Sequence, residues 1–140
     1  IWWATAPYCP DLVIYVSVGN ISIVNQSGIY GTYTKNNQKE LYQVGMPKEI
    51  ELGNAYIVTN IENDKVEKFQ IEIIKVYYYR STHNIYFKIK DQELLNKTGG
   101  IIKGMSGSPI IQNGKIIGAI SHVEDNDTSK GYGLFITNML

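Results

Sequence analysis

The sequence predicts an all-β protein, an antiparallel β-barrel or sandwich, and three observations carry that prediction. Short runs rich in β-branched and aromatic residues recur along the 140-residue chain, most of them bounded by Gly, Asn, Asp or Ser. Little of the sequence reads as helix. Asn113-Gly114 separates two apolar runs, the strongest short hairpin signal, because a type I′ turn needs positive φ at both central residues. Many strands with turn signals and almost no helix leave a barrel or a sandwich as the way to bury one face of each strand.

Taken in order, Ile1 to Gly19 fits least well. Ile1-Trp2-Trp3 is apolar, and Leu12 to Val18 reads as a buried strand. Residues 1–27 are set aside as a divergent leader, and 28–140 as the main domain. Gly28 to Tyr33 is a short strand and Lys35 to Glu40 a polar loop. Leu41 to Val44 and Glu49 to Leu52 are short strand candidates, and Ala55 to Ile61 is a stronger one. Glu62 to Lys65 forms a turn. From Val66 to Tyr79 the residues alternate, with Phe69, Ile71, Ile73 and Val76 on one face. Ile85 to Ile89 is a further strand. Asp91 to Gly99 reads as a short helix, with Asp91 as N-cap and Gly99 as the stop. Ile110 onward forms the hairpin, and Lys130 to Ile136 the last strand.

Composition bounds the function. The chain is one domain, 44% hydrophobic and 19% charged, an ordinary globular balance. Basic and acidic residues number 13 each, so no electrostatic footprint for nucleic acid or an anionic membrane exists. Tyrosines, 11 of them against three phenylalanines, suit half-buried strands, with the ring inside and the hydroxyl wet. The single cysteine, Cys9, has no partner for an internal disulfide, and metal-ligand spacings are absent. No metal or cofactor is expected. No apolar run approaches membrane-spanning length, and no basic stretch with a cleavage site opens the chain. It starts at Ile1 and is expected to be a fragment of something longer.

The chemistry gathers around Gly104-Met105-Ser106-Gly107-Ser108-Pro109, which leads into the hairpin. Glycines flanking Ser106 let the backbone turn tightly and approach a substrate closely. Such a turn aims the amides of Gly104 and Ser106 at one point, an oxyanion hole beside the Ser106 hydroxyl. Pro109 fixes the exit into the strand. A bare Gly-x-Ser-Gly is also met as a turn without chemistry. Here the turn leads into a strand, a tight turn and a strand ending Gly118-Ala119-Ile120-Ser121, the arrangement around the nucleophile of chymotrypsin-like serine proteases.

Four segments carry a closer resemblance: Asp64 to Phe69, Thr98-Gly99-Gly100-Ile101, Gly104 to Ile111, and Lys130-Gly131-Tyr132-Gly133. Together, over roughly Gly28 to Leu140, they resemble the SpoIVB (stage IV sporulation protein B) peptidase family. The resemblance implies a chymotrypsin-like antiparallel barrel, with the first barrel of that fold incomplete or truncated. It implies a serine endopeptidase acting between mother cell and forespore of an endospore-forming bacterium. There it trims protein partners that regulate an intramembrane protease. A membrane anchor and a PDZ domain belong upstream in that family.

The resemblance makes Ser106 the nucleophile and puts Asp91 at the third catalytic position. The helix N-cap accounts for Asp91 equally well, and both readings stand. The family's base is a histidine in a Gly-His pair, and this sequence contains none. Its only histidines are His83 and His122. In the fold, Ser121 and His122 fall on the substrate-pairing strand, His122 as a wall of the specificity pocket, with a buried structural histidine or the base as alternatives. His83 reads as a solvated loop histidine, Ser108 as a packing residue of the turn. Tyr77-Tyr78-Tyr79 reads as strand and surface, and Asp125-Asn126-Asp127 as a solvated turn. Two rivals to the enzyme remain: an inactive module capturing an extended peptide on its edge strand, and a purely structural half-barrel.

Overall fold

The computed structural model describes residues 19–25, 28–33, 42–62 and 65–140. The candidate strand Leu12 to Val18 and the polar loop Lys35 to Glu40 lie outside them. Strands β1 (Gly19–Asn25) and β2 (Gly28–Tyr33) form a two-stranded antiparallel sheet of their own. The strand read from Gly28 is therefore present, and its partner β1 lies on the leader side, so their pairing spans the boundary drawn between leader and domain.

The remaining strands build the barrel. They are β3 (Gln43–Val44), β4 (Gly53–Glu62), β5 (Lys65–Val76), β6 (Ile85–Ile89), β7 (Pro109–Gln112), β8 (Lys115–Glu124) and β9 (Asp127–Phe135). Their order is β3-β8-β7-β4-β5-β6-β9, and β8 also pairs with β9, which closes β4 to β9 into six antiparallel strands. Closure leaves the six with no free sheet edge along most of their length. The fold is an all-β barrel of the chymotrypsin-like kind, and β3 adds to it as a two-residue parallel appendix on β8.

Alternation fills the interior. Ala55, Ile57 and Thr59 of β4, Phe69, Ile71 and Ile73 of β5, and Ile85, Phe87 and Ile89 of β6 all point inward. Each such large side chain contributes roughly 1.5–3 kcal/mol by leaving water. A bulge between Ile73 and Lys75 breaks the alternation, so Val76 reaches the core only in part. β5 ends there, and Tyr77 to Tyr79 fall in a loop rather than a strand.

The Asn113-Gly114 turn has φ of 51° and 74°, the positive pair the hairpin between β7 and β8 requires. Helix α1 (Gln92–Thr98) starts at Asp91, whose Oδ1 accepts from the Leu94 amide at 3.0 Å. It stops at Gly99, left-handed at φ 72°. Glu49 to Leu52 is not a strand. Pro47–Glu49 forms a single 3₁₀ turn, and the buried Gln112 side chain then takes the place of a strand partner. Its amide accepts from Glu51 N at 3.0 Å and donates to the carbonyls of Glu51 and Asn54 at 2.8 and 3.1 Å.

Candidate active site

The Ser106 turn hangs between α1 and the hairpin and is held from both ends. At its start, a Cβ on Gly100 (φ 132°) would collide with the Thr128 carbonyl. That close approach lets Ile101 N donate to Thr128 O at 2.7 Å and Thr128 Oγ1 donate to Gly99 O at 2.8 Å. The Gly99-Gly100 pair thus staples the helix exit to β9. At its end, Gly107 N donates to Ile120 O at 2.8 Å and Ile120 N to Ser108 O at 2.9 Å. The Ser108 hydroxyl donates to Thr59 Oγ1 at 2.9 Å, which makes Ser108 a tie to β4.

Between these anchors the backbone takes φ of 104° at Gly104 and 89° at Gly107, conformations an L side chain resists. Met105 is buried at the centre and Ser106 is exposed. The Met105 and Ser108 amides close the turn on Ile102 O and Met105 O. Among the described residues, neither the amide nor the hydroxyl of Ser106 has a hydrogen-bond partner. An exposed hydroxyl and a neighbouring donor, set in a turn fixed on both sides, are available to a carbonyl arriving from solvent.

Beside the turn runs β8. Its pairing with β7 ends at Ala119, opposite Pro109, and from Ile120 to Glu124 it pairs only with β9. Among the described residues no strand lies on the other edge of Ser121 to Glu124. Ser121 Oγ donates across to Tyr132 O at 3.0 Å, holding that stretch in register.

The chain matches the model of one protein family, SpoIVB peptidase S55, over residues 14–140. It belongs to that family. Membership makes this a peptidase-family barrel, and three of the four segments that carried the resemblance acquire physical roles: the Gly-Gly staple, the serine turn, and the β9 strand that closes the barrel. The match begins ahead of the boundary drawn at Gly28 and takes in the end of the leader. No curated protein and no solved structure matches the chain.

The other sequence candidates are distributed as follows. Asp91 uses Oδ1 on the helix cap and Oδ2 on the Gln70 amide at 3.4 Å. It lines an open cleft of about 420 Å³ with Tyr56, Lys68, Gln70 and Gln112, and Ser106 is not among the lining residues. No hydrogen bond links Asp91 to Ser106 or to either histidine among the described residues. His122 is exposed rather than buried, and its ring stacks on His83 with centroids 4.1 Å apart at 24°.

His83 lies in the loop before β6, as read, but it is half-buried among other rings rather than free in solvent. Its ring also meets Tyr132 edge-on at 4.8 Å, and Thr82 Oγ1 lies 2.8 Å from its Nδ1. Burial first, then His122 and Arg80, hold its imidazole below the usual histidine value. Sequence reading missed the residue that places it. Asn84 is fully buried, donating to the carbonyls of Tyr77 (3.2 Å) and Arg80 (2.7 Å). Its Oδ1 accepts from Phe135 N at 3.4 Å and Asn138 Nδ2 at 3.3 Å. An asparagine opening an Asn-Ile-Tyr-Phe strand was the available signal.

Proposed function

We propose that this chain carries the nucleophile of a serine endopeptidase. The observation behind this reading is the exposed, unpartnered Ser106 hydroxyl in a turn clamped to Ile120, next to an open strand edge. In this reading an extended peptide adds along Ser121 to Glu124, and its carbonyl carbon meets Ser106 Oγ. The Oγ–carbon bond forms as the Oγ proton passes to a histidine base, and the oxyanion rests on the amides of Gly104 and Ser106. Collapse expels the amine, which takes the proton from the base. Water then releases the acyl group by the same path in reverse. Among the described residues neither His83 nor His122 hydrogen-bonds to Ser106, and in this reading the base is a histidine outside the described barrel.

By family, the reaction serves sporulation signalling between mother cell and forespore, on protein regulators of an intramembrane protease. The test is labelling of the full-length protein by a fluorophosphonate. Wild type should be labelled, and Ser106→Ala should lose both labelling and cleavage with an unchanged melting curve. Cleavage surviving in Ser106→Ala would remove Ser106 from the mechanism.

A second reading has its own support. No hydrogen bond joins a histidine to Ser106 among the described residues, and Asp91 is spent on the helix cap and Gln70. On that basis the chain is a peptide-binding barrel without chemistry, and an unlabelled full-length wild type would favour it.

A further inference from the structure

A ring cluster that includes His122, on β8 beyond the residue that holds the Ser106 turn, has no role in the chemistry above. His83 and His122 stack at 4.1 Å, Tyr132 meets His83 edge-on at 4.8 Å, and Tyr86 stacks on Tyr132 at 4.8 Å and 28°. Four rings from the 77–84 loop, β6, β8 and β9 thus make one continuous half-exposed shelf. At one end stands Glu124, whose Oε2 accepts from the Tyr132 hydroxyl at 3.2 Å. Burial first, then hydrogen bonding to Glu124 and its charge, raise the phenols of Tyr86 and Tyr132. Among the described residues no ion pair engages Glu124; Lys130 pairs with Asp127 at 2.9 Å, and its ammonium is held up by Asp127 first and by the Glu124 charge to a lesser degree. At the other end, Arg80 lies beside His83 with its guanidinium 3.7 Å above the Tyr77 ring.

The register decides what this shelf would touch. His122 lies on β8 two residues beyond Ile120, the residue that holds the Ser106 turn. When a strand adds to a sheet edge, directly opposed residues carry their side chains on the same face. A peptide residue opposite His122 therefore lays its side chain over the shelf, with the Glu124 carboxylate ahead of it and Arg80 behind.

We propose that His83, His122, Tyr86, Tyr132 and Glu124 form a side-chain subsite that selects a basic residue, arginine foremost, in a peptide laid along Ser121 to Glu124. This rests on the reading of that edge as the peptide site. A guanidinium is planar, stacks on ring faces and pairs with a carboxylate in a fork. An acidic side chain meets the Glu124 carboxylate, of the same charge, and is repelled. An aliphatic one gains ring contact but leaves the carboxylate unanswered. Arg80, of the same charge as the incoming group, biases it toward the Glu124 end.

The experiment is fluorescence anisotropy on the 140-residue chain carrying Ser106→Ala, so that binding is read without chemistry. The probes are fluorescein-labelled peptide mixtures, randomised except for one fixed residue: Arg, Phe, Glu or Ala. The Arg mixture should bind about tenfold tighter than the Glu mixture, and added salt should narrow the gap. Glu124→Gln should reduce Arg binding to the level of Phe with the melting curve unchanged, and His122→Ala should weaken Arg and Phe alike. Equal binding of all four mixtures, no binding of any, or an Arg preference that survives Glu124→Gln would each overturn the subsite. Failure of the peptidase reading is seen separately, as an unlabelled full-length protein whatever these peptides do.

Discussion

Asp91 presents a conflict between two roles that one substitution pair resolves. Asparagine caps a helix about as well as aspartate, whereas alanine does not, at a cost of about 1 kcal/mol. Asp91→Ala should therefore lower Tm, and Asp91→Asn should leave it nearly unchanged. In the full-length protein, cleavage that falls in Asp91→Asn without a change in Tm would place the charge in catalysis; unchanged cleavage would leave Asp91 as a cap. His83 makes a second prediction at this scale. Its folded value lies below 6.5, so as pH falls the unfolded chain takes up that proton first. Stability is insensitive to this group above the unfolded value and declines as pH drops below it. Between about pH 7.5 and about pH 5.5, wild type should lose more Tm than His83→Asn, asparagine being tolerant of the φ of 60° found there. An identical loss in the two proteins would mean that His83 is not held neutral.

Among the elements, the 77–84 loop shows how a polar core residue sets up a surface. Asn84 gathers two carbonyls of its own loop and a backbone amide of β9 into one buried site. Removing that side chain leaves buried groups unpaired, at roughly 1–3 kcal/mol. Asn84→Ala should show that loss in urea unfolding. It should also release the loop that holds His83, read as faster amide exchange over residues 77–84 than over β6. Uniform exchange across both would show that the loop does not depend on Asn84. The hairpin at Asn113-Gly114 and the Asp91-to-Gly99 helix are legible in the sequence, because each is fixed by residues adjacent along the chain. The segment after Glu49 is not. Its apolar pattern suits a strand, but its partner is the Gln112 side chain, 61 residues away from Glu51.

For the whole molecule, closure of β8 on β9 makes the barrel cooperative, with Phe87 among the largest fully buried side chains. Phe87→Ala should cost roughly 3–5 kcal/mol, lowering the urea midpoint while the sheet signal in circular dichroism is kept below the transition. A loss under about 1 kcal/mol would mean the barrel collapses around the gap. Closure also brings the serine turn, the open edge of β8 and the four-ring shelf to one region. Glycines on β9 permit it: a Cβ on Gly133 would stand 2.6 Å from Ile110 Cδ1 and 2.9 Å from Ala119 O.

By itself the sequence determined the strands with clean alternation, the hairpin turn, the capped helix, the serine turn and the family, since each is written in residues close together along the chain. Tertiary structure alone decided that Asp91 faces a cleft apart from Ser106, that Asn84 is a buried polar hub, and that the two histidines share one stack. Those facts depend on which strands pair and in what register, and pairing is settled by the burial of all six strands together, which no local pattern encodes.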